Sequence, residues 1–121
     1  MRICVTSQAD TLDSQVDPRF GRCPYFMIVD TETMDFEAVQ NPNVTGMGGV
    51  GVQSGQLMSE KKVKAVLTGN VGPNAFRTLK AGGIDIYAGV SGTVKEAVQK
   101  YKNGGLKPVD DASVDSKFGM G

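Results

Sequence analysis

The chain contains no histidine. That absence excludes a Ser-His-Asp or Cys-His catalytic pair. It equally excludes a histidine-ligated zinc, haem or non-haem iron site. Cysteine is scarce. Cys4 and Cys23 are the only thiols, too few for a four-thiolate zinc or iron–sulfur centre within one chain. They form no CxxC motif, and a reducing compartment with both thiols free is the expectation. Charge excess is missing too: 13 Lys+Arg balance 13 Asp+Glu, whereas a general nucleic-acid binder carries a basic surplus. Long hydrophobic runs are absent. Residues 1–5 are too few apolar positions for a signal peptide. The uncharged stretch 40–59 is filled with Gly, Gln, Asn and Ser, unlike a membrane span. These absences predict a cytoplasmic protein that engages neither nucleic acid nor membrane.

What is present is a globular balance, 40% hydrophobic and 21% charged over 121 residues. One domain of this length buries roughly two-thirds of its unfolded surface. Glycine is the unusual residue, 16 in all, roughly twice the usual share of about 7%. The glycines cluster at Gly46-Met-Gly-Gly-Val-Gly51, at Gly69 and Gly72, at Gly89 and Gly92, and near the C-terminus. Such clusters mark backbone that adopts positive φ or approaches another group closely.

Hydrophobic patterning predicts strands at 2–6, 25–29 and 36–39, the second and third joined as a hairpin. Val50, Ser54, Leu57 and Met58 share one helical face, which predicts a helix over about 50–62. A fourth strand follows at 64–68. Pro73 opens a second helix at its first position, and Gly82-Gly83 closes it. A fifth strand spans 84–88. The last helix has the clearest signals: a Thr93/Glu96 capping box, apolar residues at 94, 97, 98 and 101, and an Asn103-Gly104 stop. The order βββαβαβα predicts one mixed sheet with helices packed on it. The expected division is a domain over 1–107 and a flexible tail over 108–121.

In open α/β sheets, ligands bind beyond the carboxyl ends of parallel strands. Here Thr6-Ser7, Thr68-Gly69 and Ala88-Gly89 end the predicted strands. Gly72-Pro73 and Ser91-Gly92-Thr93 aim helix N-termini at that same edge, where free N–H groups and dipoles favour an anion. The loop 46–51 matches G-x-G-x-x-G but lacks an acid at the end of the next strand, as a dinucleotide site requires. Two readings stand for it: a loop closing on a ligand through backbone N–H groups, and a plain connector. Arg19-Phe-Gly-Arg22-Cys23 brings two guanidinium groups and a thiol together. Arginine grips anions at several points, and neighbouring arginines can lower the pKa of Cys23 toward thiolate. The alternative for Cys23 is an inert thiol, and Cys4 reads as a small core residue. Finally, Val16-Asp-Pro-Arg-Phe-Gly21 is echoed by Val114-Asp-Ser-Lys-Phe-Gly119.

Phe20-Gly-Arg-Cys-Pro-Tyr-Phe26, the glycine-rich loop, Leu67-Thr-Gly-Asn-Val-Gly-Pro-Asn-Ala-Phe76 and Ser91-Gly-Thr-Val-Lys-Glu-Ala-Val98 resemble the dinitrogenase iron–molybdenum cofactor biosynthesis family, over about residues 1–105. The short length and FGMG-type ending resemble its stand-alone members, among them the orange-protein branch. The resemblance implies a ribonuclease H-like α/β domain with a five-stranded mixed sheet, order 3-2-1-4-5 and strand 2 antiparallel. It also implies non-catalytic carriage of an anionic molybdenum-containing sulfide cluster (Mo–Cu or Fe–Mo type), exchanged with donor and acceptor proteins. Many relatives carry His where Arg19 stands. Arginine replaces ligation by electrostatic holding. The implied site comprises Arg19 and Arg22 for charge, with the backbone of Gly48, Gly49, Gly69, Asn70, Gly92 and Thr93 as donors. Cys23, Met47 and Met120 are candidate soft contacts. The alternatives are a small anion- or nucleotide-binding regulatory domain using the same edge, and a protein-interaction module using the edge strand and tail.

Overall fold

The computed structural model describes residues 1–41 and 50–110, with backbone alone for 50–52. Five strands and three helices are found among them: β1 Arg2–Ser7, β2 Tyr25–Asp30, β3 Phe36–Gln40, α1 Val50–Glu60, β4 Ala65–Leu67, α2 Pro73–Ala81, β5 Asp85–Tyr87 and α3 Val94–Lys102. The sheet order is β3-β2-β1-β4-β5. β2 runs antiparallel to both β1 and β3, while β4 is parallel to β1 and to β5. The expected order and the antiparallel second strand are both observed.

β1 and β4 read as continuous apolar runs because both faces of the sheet are covered. Cys4, Phe26, Ile28, Val66 and Ile86 face Met58, Ala75 and Leu79 of α1 and α2. The alternate residues Ile3, Val5, Met27, Val29, Ala65 and Leu67 face Val94, Ala97 and Val98 of α3. The period-two alternation of strands sorts neighbouring residues onto opposite cores.

α1 and α2 pack closely because Gly55 lacks a side chain. A Cβ there would lie 2.6 Å from Thr78 Cγ2, and a Cβ on Gly82 would lie 2.8 Å from Ser59 Oγ. The two contacts share one offset, 55 to 78 and 59 to 82, so the helices run parallel. The same offset places the first residue of α1, Val50, level with the first residue of α2, Pro73. Two positive helix ends therefore lie side by side at the carboxyl edge of β1 and β4.

The expected tail begins earlier than the last anchored residue. The Val109 amide donates to the Ile86 carbonyl at 2.8 Å, and the Val109 side chain packs on the core. Sheet contact thus continues past residue 107. Residues 111–121, including the Val114–Gly119 echo, lie outside the described residues.

Gly69 decides how the 8–24 loop seats on the sheet. A Cβ at this position would lie 2.6 Å from Pro18 Cα and 3.0 Å from its carbonyl oxygen. Those are backbone atoms that cannot rotate away. The Gly69→Ala variant is expected to lose about 2–3 kcal/mol of stability, roughly a 10 °C fall in Tm. Gly72→Ala meets nothing within 4 Å and is expected to lose less than about 1 kcal/mol. Parallel thermal melts of both variants check the contrast, and equal melting temperatures would refute it.

Candidate anion site at the carboxyl edge of the sheet

The 8–24 loop folds back over the ends of β1 and β4. The Asp17 amide donates to the Thr6 carbonyl at 2.9 Å. Thr6 Oγ1 lies 2.6 Å from the Asp17 carbonyl oxygen and 2.8 Å from Thr68 Oγ1. A hydroxyl has one hydrogen and a carbonyl only accepts, so Thr6 donates to Asp17 and Thr68 donates to Thr6. Next, Asn70 donates to the Pro18 carbonyl at 2.7 Å and Phe20 donates to the Asn70 carbonyl at 3.2 Å. Arg19 and Asn70 thus form a parallel bridge. Phe20 anchors the segment, buried against Phe26 with ring centroids 5.8 Å apart.

This construction redistributes the expected site residues. Arg19 is not a free cation. Its Nε and Nη2 donate to the two carboxylate oxygens of Asp17 at 3.1 and 3.0 Å, and its amide donates to Asp17 Oδ1 at 2.8 Å. Asp17 is 2% exposed while the Arg19 side chain is 59% exposed. The pair is locally neutral, and the bond to Asp17 holds Arg19 firmly protonated. Arg22 differs. It is exposed and has no carboxylate partner among the described residues. Sequence proximity made the two arginines look equivalent; the buried carboxylate separates them.

For Cys23 the structure decides between the two readings, in favour of an inert thiol. It is fully buried, and burial, followed by the Asp17 charge, pushes its thiol up to about 12 despite opposing backbone donors. The flanking arginines do not make it a thiolate, because the side chain points into the protein and they do not. Cys4 is buried as well, and its thiol is raised by burial and then by the nearby Cys23. Both cysteines are free.

The proposed backbone donors are corrected next. The Asn70 amide is committed to Pro18, and Gly69 is glycine because Pro18 crosses it. The N-terminus of α3 is closed. Thr93 donates to Glu96 Oε1 and Glu96 to Thr93 Oγ1. Val94 donates to the Ser14 carbonyl and Lys95 to the Leu12 carbonyl, both at 2.9 Å. The Gly92 carbonyl accepts from Val16, and Gly92 itself holds φ +88. Gly92 and Thr93 therefore build the cap and the loop contact, leaving no open anion seat at that helix. Met47, Gly48, Gly49 and Met120 lie outside the described residues.

The first turn of α2 is less occupied among the described residues. Gly72 caps α2 with extended backbone, φ −81 and ψ 171, and no side-chain hydrogen bond. Pro73 has no N–H, and Phe76 donates to the Gly72 carbonyl. The amides of Asn74 and Ala75 have no acceptor among the described residues. Arg77, one turn on, bonds Asn74 Oδ1 at 2.6 Å and has no carboxylate partner among the described residues. Arg22 and Pro73 each stand three residues beyond the Arg19–Asn70 bridge, which brings Arg22 to the same end of the sheet. Sequence reasoning missed Arg77, although its position one turn into a Pro-initiated helix was the available signal. It also missed Asp17, whose burial has no local signature.

The fold and this edge define a small α/β domain with a helix N-terminus at the carboxyl edge of its sheet. No group of three or more Cys, Asp or Glu side chains able to hold a metal ion occurs among the described residues. The chain belongs to the dinitrogenase iron-molybdenum cofactor family, whose profile it matches over residues 1–104. It is 37% identical to the orange protein of Desulfovibrio gigas in its apo form, with a TM-score of 0.91, covering 93% of this chain and 96% of that one. A NifB-like protein from Thermotoga is 36% identical with a TM-score of 0.81, covering 93% and 97%. An uncharacterized Methanocaldococcus jannaschii protein is 34% identical, covering 78% of this chain and 83% of its own length. These relatives place the protein among those concerned with cofactor-related metal binding. No helix among the described residues is long and apolar enough to cross a membrane.

Proposed function

We propose that this protein holds a preassembled anionic metal–sulfide cluster, of the molybdenum–copper or iron–molybdenum sulfide type, and passes it unchanged between donor and acceptor proteins in the cytoplasm. The observation that carries this reading is the first turn of α2, whose Asn74 and Ala75 amides have no acceptor among the described residues, at the same end of the sheet as Arg22 and Arg77, two cations without carboxylate partners among those residues. An anionic cluster brings its own metal–sulfur bonds, so it needs charge and hydrogen bonds at its surface, which helix amides and guanidinium groups supply. The protonated, buried thiols fit holding without cysteine ligation. The 37% identity to the orange protein supports the cluster class. We read the sheet as ribonuclease H-like in order. β1, Arg2–Ser7, carries no carboxylate, so the two-metal chemistry that needs acids on that strand is not part of the reading.

The test is an anaerobic titration of the apo protein with tetrathiomolybdate, alone and with copper or iron, followed by gel filtration. Retained visible absorbance is expected. Arg22→Ala should weaken retention about tenfold or more, the range of one charge-assisted hydrogen bond, with an unchanged circular dichroism spectrum and weaker binding in added salt. Arg19→Ala is a poorer probe because it strands the buried Asp17 carboxylate. Colourless protein that retains no cluster but responds to nucleotides would overturn the proposal in favour of a regulatory anion-binding domain.

A further inference from the structure

The turn that presents Arg22 is held from beneath by one buried amide side chain. Asn41 is 2% exposed. Its Nδ2 donates to the carbonyls of Gly21 and Cys23, both at 2.9 Å. These two carbonyls flank Arg22 directly. Asn41 also donates its own amide to the Pro24 carbonyl at 2.9 Å. Three contacts, at residues 21, 23 and 24, thus fasten the turn to the end of β3. Gly21 holds φ +94, a conformation open to glycine, which bends the chain after Phe20 toward Asn41.

We infer that Asn41 is a positioning residue for Arg22: its side-chain amide fixes the turn 21–24 so that the guanidinium is presented toward the α2 N-terminus. This rests on the anion-site reading above. An asparagine suits the task because a single NH2 carries two donors in a fixed plane, one for each carbonyl. Neither aspartate nor leucine, though close in size, can supply them. Without the clamp the two carbonyls lose their buried donor and the turn opens. Arg22 then samples many rotamers, and its contact with an anion carries the ordering cost that the clamp otherwise removes.

Two measurements separate the clamp from the site. In a Cys4→Ala background, iodoacetamide labels only Cys23. Labelling reads the opening of the turn without any cluster. Asn41→Ala is expected to label about tenfold faster, because the turn covering Cys23 opens more often. Tetrathiomolybdate titrations then form a double-mutant cycle. Asn41→Ala should bind about tenfold more weakly, and the Asn41→Ala, Arg22→Ala double variant should bind no more weakly than Arg22→Ala alone. General loosening of the domain would instead add to the Arg22→Ala loss.

Unchanged labelling, unchanged affinity or additive losses overturn the positioning role while leaving the site reading intact. Wild-type protein that binds no tetrathiomolybdate overturns the site reading and the inference with it. Should Asn41→Ala fail to fold, the wild-type protein carries the test by NMR. The Asn41 side-chain amide protons should shift together with the Gly21 and Cys23 amides during the titration. Asn41 signals that stay fixed while Arg22 signals move overturn the inference.

Discussion

Replacing Gly72 with aspartate should make the domain more stable and abolish cluster binding. Gly72 sits at the N-cap of α2 in extended backbone, the conformation an N-cap side chain requires. A Cβ there meets no atom within 4 Å. The new carboxylate would accept hydrogen bonds from the open amides of the first turn and interact favourably with the helix dipole. Together these contribute about 0.5–1 kcal/mol over glycine, roughly a 2–4 °C rise in Tm. The same carboxylate occupies the anion position and repels any anion approaching Arg22 and Arg77. Affinity for tetrathiomolybdate should fall at least about a hundredfold, a charge-assisted bond and a repulsion together. Gly72→Ala adds no charge and leaves the first-turn amides available, so it should bind nearly as well as wild type. Thermal melts and cluster titrations on the three proteins decide the matter. If Gly72→Asp binds normally, the cluster is not seated at α2.

Raising the pH above 9 should destabilise the protein through Cys23. The ordinary thiol value is 9.0, and burial, aided by Asp17, raises Cys23 to about 12. Below pH 9 both folded and unfolded chains keep the thiol protonated, and the full stability is present. Above 9 the unfolded chain releases this proton while the folded protein retains it, so ionisation favours unfolding. The loss grows by about 1.4 kcal/mol per pH unit and levels off only as the pH passes about 12. Cys4 acts in the same direction. Urea unfolding under reducing conditions from pH 8 to pH 11 checks the effect. Relative to its own stability at pH 8, Cys23→Ala should lose about 3 kcal/mol less than wild type by pH 11. Lysine and tyrosine titrations are common to both proteins and cancel in this comparison. Parallel pH profiles would show that Cys23 ionises freely in the folded state.

Much of the architecture was legible because its causes are local. The Thr93/Glu96 box, the apolar residues at 94, 97 and 98 and the Asn103-Gly104 stop lie within one short stretch, and α3 forms there. Pro73 starts α2 for the same reason. Runs such as 3–5 and 65–67 are short, apolar and rich in β-branched residues, so they form strands wherever both faces can be covered. The sheet order followed from the family resemblance rather than from these patterns. Ser54 shows the limit of patterning: it shares the buried face of α1 as expected, yet its Oγ has no hydrogen-bond partner among the described residues.

The sequence by itself determined the absence of histidine chemistry and most of the elements, and it singled out the carboxyl edge of the sheet as the candidate site. Absent histidine cannot be restored by folding, and capping and periodicity act within a few residues. Tertiary structure decided which groups at that edge are available. The N-terminus of α3 looked as open as that of α2, but carbonyls of Leu12 and Ser14, some eighty positions away in sequence, close the first, while the second finds no such acceptor among the described residues. Arg19 and Arg22 looked alike, but burial of Asp17 neutralises only the first. For Cys23 the local sequence left activation and an inert thiol both open, and burial, which raises its pKa, decides for the second. Hydrogen-bond satisfaction and desolvation depend on what the rest of the chain places around a group, and those are properties of the fold rather than of the local sequence.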